Sequence, residues 1–258
     1  MTSNRNLIVL TTLLFAVSFL TACDSSNSPE DIYSQGCQYY KGDGVSVDKQ
    51  KAVELWQKAA ELGNDKAQYN LGACYNDGDG IEQNKEEAVK WFRKAAEQGN
   101  AEAQFNLGNR YYTGDGVEQN YEEAVKWFSK AAEQGIAQAQ NNLGACYNKG
   151  DGVKQDKAEA IKWFSKAADQ GLAEAQCTLG ICYYTGDGVE QNNEEAAKLF
   201  LKAAQQDNPQ AQYNLGIMYF EGNGVAKDVS EAEKWLKKSA DQGNAEAAES
   251  LKKLEELK

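Results

Sequence analysis

The chain of 258 residues repeats itself with a period of 36 residues. Its marker is a Gly-Asp-Gly tripeptide, written Gly-Asn-Gly in the last copy, and no insertion or deletion separates the copies. The copies begin at Gly42, Gly78, Gly114, Gly150, Gly186 and Gly222. Self-similarity at a fixed period of this length is typical of solenoids, in which a unit buries its apolar face only against its neighbours. The sequence therefore predicts one elongated domain.

Each unit has the pattern of a helical hairpin. In the second unit Ala67, Leu71 and Tyr75 are four residues apart, so they line one face of a first-half helix. Gly78 and Gly80 are expected to end this helix, because glycine adopts the left-handed conformation of a C-cap. The pattern predicts a second helix after the glycine loop.

The second-half helix begins at a side-chain N-cap. In the second unit this cap is Asn84, and Glu87 is its expected reciprocal partner in a capping box. Trp91 and Phe92, with alanines spaced three and four residues away, form an amphipathic face, and the helix ends at Gly99. The other units have caps at Asp48, Asn120, Asp156, Asn192 and Asp228.

The repeated motif is similar to that of a known family. Its consensus, Ala-x-x-x-Leu-Gly-x-x-Tyr, Gly-x-Gly-Val and Glu-Ala-x-x-Trp-Phe-x-Lys-Ala-Ala, resembles the Sel1-like repeat, a relative of the tetratricopeptide repeat. The resemblance implies an all-α, right-handed α-solenoid of six helix-hairpin repeats plus a C-terminal capping helix. We expect the solenoid over 28–258, with repeats near 28–63, 64–99, 100–135, 136–171, 172–207 and 208–243 and the cap at 244–258.

Three departures from the consensus have structural implications. Gln35 replaces the leucine of the first repeat, as expected of a terminal unit that no repeat precedes. The fifth repeat has Leu199 instead of tryptophan and Asp207 instead of its closing glycine, which predicts a slight shift out of register. Lys252 replaces the glycine after Leu251, as suits a helix that no further helix follows.

Residues 1–22 are predicted to be a signal peptide. Arg5 precedes an apolar run, 7–20, that is shorter than the roughly 20 residues needed to cross a bilayer. The sequence Leu-Thr-Ala-Cys ending at Cys23 resembles the lipobox of bacterial lipoproteins, which implies lipidation of Cys23 and a tether at 23–27. An ordinary secretory leader is the alternative. The resemblance implies a bacterial membrane-anchored lipoprotein facing the periplasm, and Asp24 resembles an inner-membrane retention signal, which favours that membrane over the outer one.

Composition excludes several function classes. Asp plus Glu number 39 against 27 Lys plus Arg, so the surface would repel the phosphates of nucleic acid. The chain has no histidine, which removes Ser-His-Asp and Cys-His catalysis. The glycine loops lack the acid spacing of calcium hands, so we predict no metal site and no cofactor.

Serines and cysteines offer weak catalytic signals. Ser-x-x-Lys occurs at Ser46 and at Ser250, without the companion motifs of serine β-lactamases. The cysteine-rich branch of the family pairs a first-half cysteine with a second-half one in each repeat, and here no second-half helix has a cysteine. We therefore interpret the remaining cysteines as packing residues: Cys37, Cys74, Cys146, Cys177 and Cys182.

The resemblance implies that the first-half helices line a concave groove. Its register directs three series of positions into that groove, and these positions vary between repeats while the packing positions do not. The candidate partner-binding residues are Tyr33, Tyr69, Phe105, Tyr213, Asn109, Ile181, Ile217, Tyr112, Tyr184 and Phe220. A row of amides, similar to the asparagine ladder of peptide-binding tetratricopeptide arrays, would hold a peptide backbone or else bond to neighbouring loops: Asn70, Asn106, Asn142 and Asn214.

These observations predict a non-catalytic scaffold or adaptor that binds a protein or peptide segment in its groove. Two alternatives remain at this stage. One is a penicillin-interacting or β-lactamase-like protein of the cysteine-rich branch, and the other is a self-associating structural protein of the cell envelope. The sequence leaves the oligomeric state open.

Overall fold

The computed structural model describes residues 28–256, so the predicted signal peptide, Cys23 and the tether lie outside the described residues. Over this range the chain forms thirteen α-helices and no strand. The helices are α1 (Pro29–Lys41), α2 (Lys49–Glu61), α3 (Asp65–Asp77), α4 (Lys85–Glu97), α5 (Ala101–Thr113), α6 (Tyr121–Glu133), α7 (Ala137–Lys149), α8 (Lys157–Asp169), α9 (Ala173–Thr185), α10 (Asn193–Gln205), α11 (Pro209–Glu221), α12 (Val229–Asp241) and α13 (Ala245–Glu256). The predicted all-α solenoid of six hairpins and a final helix is confirmed.

Local signals set the helix ends. Pro29 and Pro209 occupy the first turn of α1 and α11, where proline's missing N–H costs least. Gly78 ends α3 in the left-handed conformation, with φ +73°, and its N–H donates to the Cys74 carbonyl. The predicted N-cap is present at Asn84, whose side-chain oxygen accepts from the Glu87 N–H at 2.9 Å.

The reciprocal half of the predicted capping box is wrong. The Asn84 N–H donates to the Tyr75 carbonyl at 2.8 Å, so the donor that the Glu87 carboxylate was expected to bind is already used. Glu87 instead pairs with Lys90 at 2.7 Å. The later repeats share both features, because a backbone bond across the hairpin recurs at each cap, and their acids pair with lysines three residues on.

The hairpins are held together by close helix contact. Leu71 and Ala88 are fully buried, and each helix packs against its neighbours in the chain. A Cβ atom on Gly72 would lie 2.8 Å from the Phe92 ring, so glycine lets the two helices of the hairpin approach. The same pairing of a glycine with an aromatic or leucine side chain recurs in every described repeat.

Buried glutamines link successive repeats. The Gln140 side chain donates to the Ala132 carbonyl at 3.0 Å and accepts from Gln170 at 2.8 Å. This pair of bonds recurs with the same spacing, and we call the set the glutamine ladder. Its buried members are Gln68, Gln104, Gln140, Gln176 and Gln212.

The fifth repeat keeps the common register, so the predicted shift is wrong. Asp207 adopts φ +60°, the left-handed conformation that glycine supplies elsewhere. The Asn208 N–H donates to the Ala203 carbonyl at 3.1 Å, matching the bond from the Asn100 N–H to the Ala95 carbonyl at the end of the second repeat. Leu199 is 6% exposed, so it fills the position that tryptophan occupies in other repeats.

The two ends of the solenoid are polar where no neighbour covers them. Gln35 is exposed on α1, as predicted. On α13 Ala247 and Leu254 are buried against the preceding repeat, whereas Lys252 is exposed. Within residues 28–256, no helix combines the length and apolar character needed to cross a membrane.

Candidate functional site: the inner face

The odd-numbered helices form one face of the solenoid, which we call the inner face. Several hollows open there, each between two successive odd-numbered helices. Their floors come from equivalent positions of the intervening even-numbered helices. Those floor residues are Trp56, Phe128, Phe200 and Leu236.

The first hollow lies between α1 and α3 and has a volume of about 320 Å³. Its walls combine aromatic, thiol and charged side chains. Tyr40 and Trp56 pack with ring centroids 5.1 Å apart, and the Trp56 indole N–H donates to the Tyr33 carbonyl at 3.3 Å. The residues that line it include Tyr33, Tyr40, Lys41, Trp56, Asp77 and Asp79.

Asp79 is the first example of a contact between repeats. The Tyr40 hydroxyl donates to Asp79 at 2.7 Å, and Lys49 pairs with it at 2.8 Å. The Lys49 ammonium and then the Tyr40 hydroxyl lower the pKa of Asp79, because both favour the carboxylate. The same bond to Asp79, followed by burial, raises the pKa of Tyr40 to about 12. Asp79 therefore ties the glycine loop of the second repeat to the first.

The middle hollow, between α5 and α7, is the equivalent of the first hollow two repeats later. It measures about 210 Å³ and is lined in part by Tyr112, Asn142 and Lys149. The Tyr112 hydroxyl donates to Asp151 at 2.8 Å. Burial, and then that bond, raise the pKa of Tyr112 to about 12. This predicted partner-binding residue thus also joins two repeats.

The third feature is an apolar trough over repeats five and six and the final helix. Two hollows of about 320 and 240 Å³ share Ile217 and form it. Ile181 is 39% exposed at one end, although it is a large apolar side chain. The trough contains the predicted residues Ile181, Tyr184, Tyr213, Asn214, Ile217 and Phe220, with Met218 and Leu254 beside them.

Two predicted aromatic residues line none of these hollows and pack against even-numbered helices instead. The Tyr69 ring centroid is 5.9 Å from that of Phe92, and the Phe105 centroid is 6.3 Å from that of Phe128. Burial raises the pKa of Tyr69. These rings therefore contribute to packing between helices as well as to the inner face.

The side chains of the asparagine row bond to groups on the odd-numbered helices. Asn142 donates to Asn109 of the previous odd-numbered helix at 3.0 Å. Asn106 donates to the Glu102 carbonyl at 3.1 Å, and Asn214 accepts from Gln210 at 3.2 Å. Asn70 bonds to the Tyr33 hydroxyl of the preceding repeat.

Sequence reasoning missed the floor residues and the charged rims. The amphipathic pattern of the second-half helices predicts packing for Trp56, Phe128 and Phe200, but each of them also lines a hollow of the inner face. Asp77 and Lys149 occupy equivalent positions one residue before the glycine tripeptide. Comparing that position between repeats would have shown the change of charge along the groove.

The serine motifs lack the geometry of an activated nucleophile. Ser250 and Lys253 do line the trough together. Glu249, however, pairs with Lys253 at 2.7 Å and raises its pKa, which is opposite to what a general base requires. Ser46 lies exposed in the loop before α2.

The described cysteines are free thiols. Burial raises the pKa of Cys74 and of Cys177 to about 12 and that of Cys146 to about 11. A raised pKa keeps a thiol protonated and unreactive at neutral pH. The geometry supports packing for these side chains.

Comparisons with known proteins identify the repeat. The family model described as Sel1 repeat matches residues 36–64, 65–100, 101–136, 137–172, 173–208 and 209–244. No curated protein matches the chain.

Two solved structures share the fold at 38% sequence identity. One is a protective antigen of uropathogenic Escherichia coli strains, with a TM-score of 0.84 over 88% of this chain and 49% of that chain. The other is a Sel1 repeat protein from Oxalobacter formigenes, with a TM-score of 0.78 over 89% of this chain and 66% of that chain. The chain therefore spans about half the length of the first relative and just under two thirds of the second.

Proposed function

The chain belongs to the Sel1 repeat family, and from this premise we propose that it is a non-catalytic scaffold that binds a segment of another protein along its inner face. Its fold is that of a protein-interaction scaffold. The observation that carries the proposal is the apolar trough, where Ile181, Ile217 and Phe220 remain accessible on a rigid helical surface. Apolar and aromatic side chains in a hollow are the usual anchors of such contacts.

A paired capture experiment tests this function. The bait is the full chain in non-ionic detergent, and the test variant carries Ile181→Glu and Ile217→Glu, which place charge in the trough without losing helix propensity. The control variant carries Val47→Glu and Leu62→Glu, since both residues are 59% exposed and line none of the hollows named here. We expect one partner to be retained by the wild type and the control and lost by the trough variant. Equal recovery on all three baits would contradict groove binding and favour self-association or another face.

We further propose that the protein is held at a bacterial membrane, facing the periplasm, by lipid on Cys23. The support is the lipobox-like Leu-Thr-Ala-Cys sequence and the short apolar leader before it. Asp24 favours the inner membrane. Metabolic labelling with a fatty acid, followed by membrane fractionation, tests this: label and membrane association are expected in the wild type and lost in Cys23→Ser. Label retained in Cys23→Ser would contradict it.

A further inference from the structure

The first hollow has a chemistry that the rest of the inner face lacks. We propose that it binds the positively charged end of a lysine or arginine side chain of the partner segment, which deepens and rests on the function proposed above. Three aromatic residues and two carboxylates line one hollow of about 320 Å³. This volume accommodates a single side chain and equals the volume of the larger hollow of the trough.

The aromatic walls supply the first part of the attraction. Tyr33, Tyr40 and Trp56 line the hollow, and the 5.1 Å contact between the Tyr40 and Trp56 rings fixes both. The faces of such rings carry negative charge density, so a cation within about 6 Å of a ring centroid is stabilised. Trp56 is particular to this repeat, because the equivalent floor positions hold Phe128, Phe200 and Leu236.

The carboxylates of Asp77 and Asp79 supply the second part of the attraction for a cation. Asp77 is exposed at the rim, and the Asn76 side chain donates to it at 2.7 Å. Asp79 is held in place by Tyr40 and Lys49. An arginine or lysine that reaches the rings therefore passes the side chain of Asp77 at the mouth of the hollow.

The chain already places an ammonium group against this arrangement. Lys49 Nζ lies 5.3 Å from the Tyr40 ring centroid while it pairs with Asp79. Lys49 is not among the described residues that line the hollow, so its ammonium leaves the interior free. The contact shows that the Tyr40 ring and its neighbouring acid together accommodate a cation.

Two lysines define the limits of the site. Lys41 lines the first hollow and is exposed, so it opposes a bound cation. In the middle hollow Lys149 takes the place of Asp77, and its Nζ lies 3.5 Å from the Tyr112 hydroxyl. The middle hollow, with similar aromatic walls but this inverted charge, is therefore expected to reject the same side chain.

The test uses a probe on the full chain, without the partner. N-acetyl-arginine amide is titrated against N-acetyl-citrulline amide, a neutral analogue of nearly the same shape, with the chain labelled with 5-fluorotryptophan. The ¹⁹F resonance of Trp56, assigned with Trp56→Phe, reports on the first hollow, and that of Trp127 on α6 serves as the control. We expect a saturable shift of Trp56 with the arginine probe alone, weakened by added salt.

Two variants at exposed positions must change the affinity in opposite directions. Asp77→Asn should weaken binding about threefold and Lys41→Gln should strengthen it about threefold, which are the ratios expected for one exposed charge contact. Equal binding of the citrulline probe, or variants that leave the affinity unchanged, would overturn the proposal. Ile181→Glu should leave probe binding intact, so a failure of this site is distinguishable from a failure of the trough.

Discussion

Tyrosines at equivalent positions of different repeats make different contacts along the inner face. Tyr112 donates its hydroxyl to Asp151 of the next repeat, as Tyr40 does to Asp79. Tyr184, at the equivalent position two repeats later, lines the trough. The sequence marks Tyr112 and Tyr184 as groove positions but does not show which of them has a partner 39 residues away. Substitution of Tyr112 is therefore a poor test of binding, because it also removes a contact between repeats.

From the second repeat onward, the second glycine of each tripeptide lies against the backbone of the preceding repeat, so a side chain there should be destabilising. Gly152 has φ +70°, and a Cβ atom there would lie 2.2 Å from the Tyr121 carbonyl of the preceding repeat. Gly135 also has a positive φ, +93°, but among the described residues no heavy atom would lie within 4 Å of its Cβ. Gly135→Ala should cost about 1–2 kcal/mol of unfolding free energy through the backbone alone. Gly152→Ala should cost roughly 1–3 kcal/mol more through steric overlap. Urea unfolding of the two variants measures this, and equal losses would show that the loop does not press on the previous repeat.

At the scale of elements, the glutamine ladder and the aspartates of the glycine loops connect one hairpin to the next. The ladder joins the ends of α2, α4, α6, α8 and α10 to the following odd-numbered helix and to the next repeat. In repeats two to five the aspartates join the glycine loop to the repeat before it, as Asp79 does with Lys49 and Asp115 with Lys85. Apolar burial fixes the hairpin, while these polar bonds fix how hairpins stack.

Removal of one ladder member should be costly. Gln140→Ala removes two side-chain hydrogen bonds, one to the Ala132 carbonyl, which keeps its bond from the Gly135 N–H, and one from the Gln170 amide. At about 0.5–1.5 kcal/mol for each bond, we expect a loss of about 1–3 kcal/mol of unfolding free energy. The matched control is Gln138→Ala on the same helix, since Gln138 is exposed and should change stability by less than about 0.5 kcal/mol. Chemical denaturation followed by circular dichroism compares them. Similar losses in both variants would refute the structural role of the ladder.

The aspartate contacts predict an acid-sensitive part of stability. Because the pKa of Asp79 is lowered in the fold, the Lys49 and Tyr40 contacts stabilise the fold above about pH 4, the unfolded value. That stabilisation is lost as the pH falls through the lower folded value. Asp79→Asn should therefore reduce the urea midpoint at pH 7, and its difference from wild type should narrow towards pH 3.

Asp43 supplies the control for this prediction. It has the same place in the tripeptide of the first repeat, which no other repeat precedes within the described residues. Asp43→Asn should leave the midpoint unchanged at both pH values. A constant deficit of Asp79→Asn from pH 7 to pH 3 would show that its loss has another cause.

Helix positions could be predicted from sequence because their signals are local. Asn84, Gly78 and Pro209 each act within one turn of the helix end that they mark. The capping box was predicted wrongly because a contact across the hairpin decides it, and the register of the fifth repeat was predicted wrongly because a residue other than glycine adopts the left-handed conformation. The Asn84 N–H is used by Tyr75 on the other helix, and Asp207 tolerates a backbone conformation usually given to glycine. Contacts across 30 residues or more, such as those of the ladder, have no local signal.

At the scale of the whole molecule, the inner face changes character from one end to the other. The first hollow combines aromatic rings with acids, the middle hollow presents Lys149, and the trough is apolar from Ile181 to Leu254. Because the two ends of this surface differ in chemistry, it favours one orientation of a bound segment. The positively charged side chain of that segment lies towards α1 and its apolar side chains lie towards α13. The regular stacking of the repeats sets the spacing between these contacts.

The most direct test of partner binding on the inner face is position-specific photo-crosslinking of the full chain in living cells. A photoreactive residue is placed at Ile181 or Ile217 in the trough, and at Leu62 or Lys94 as exposed positions that line none of the hollows. The account predicts one discrete crosslinked partner from the two trough positions, absent from Leu62 and Lys94. Adducts from Leu62 or Lys94 alone, or only dimers of the chain itself, would contradict it.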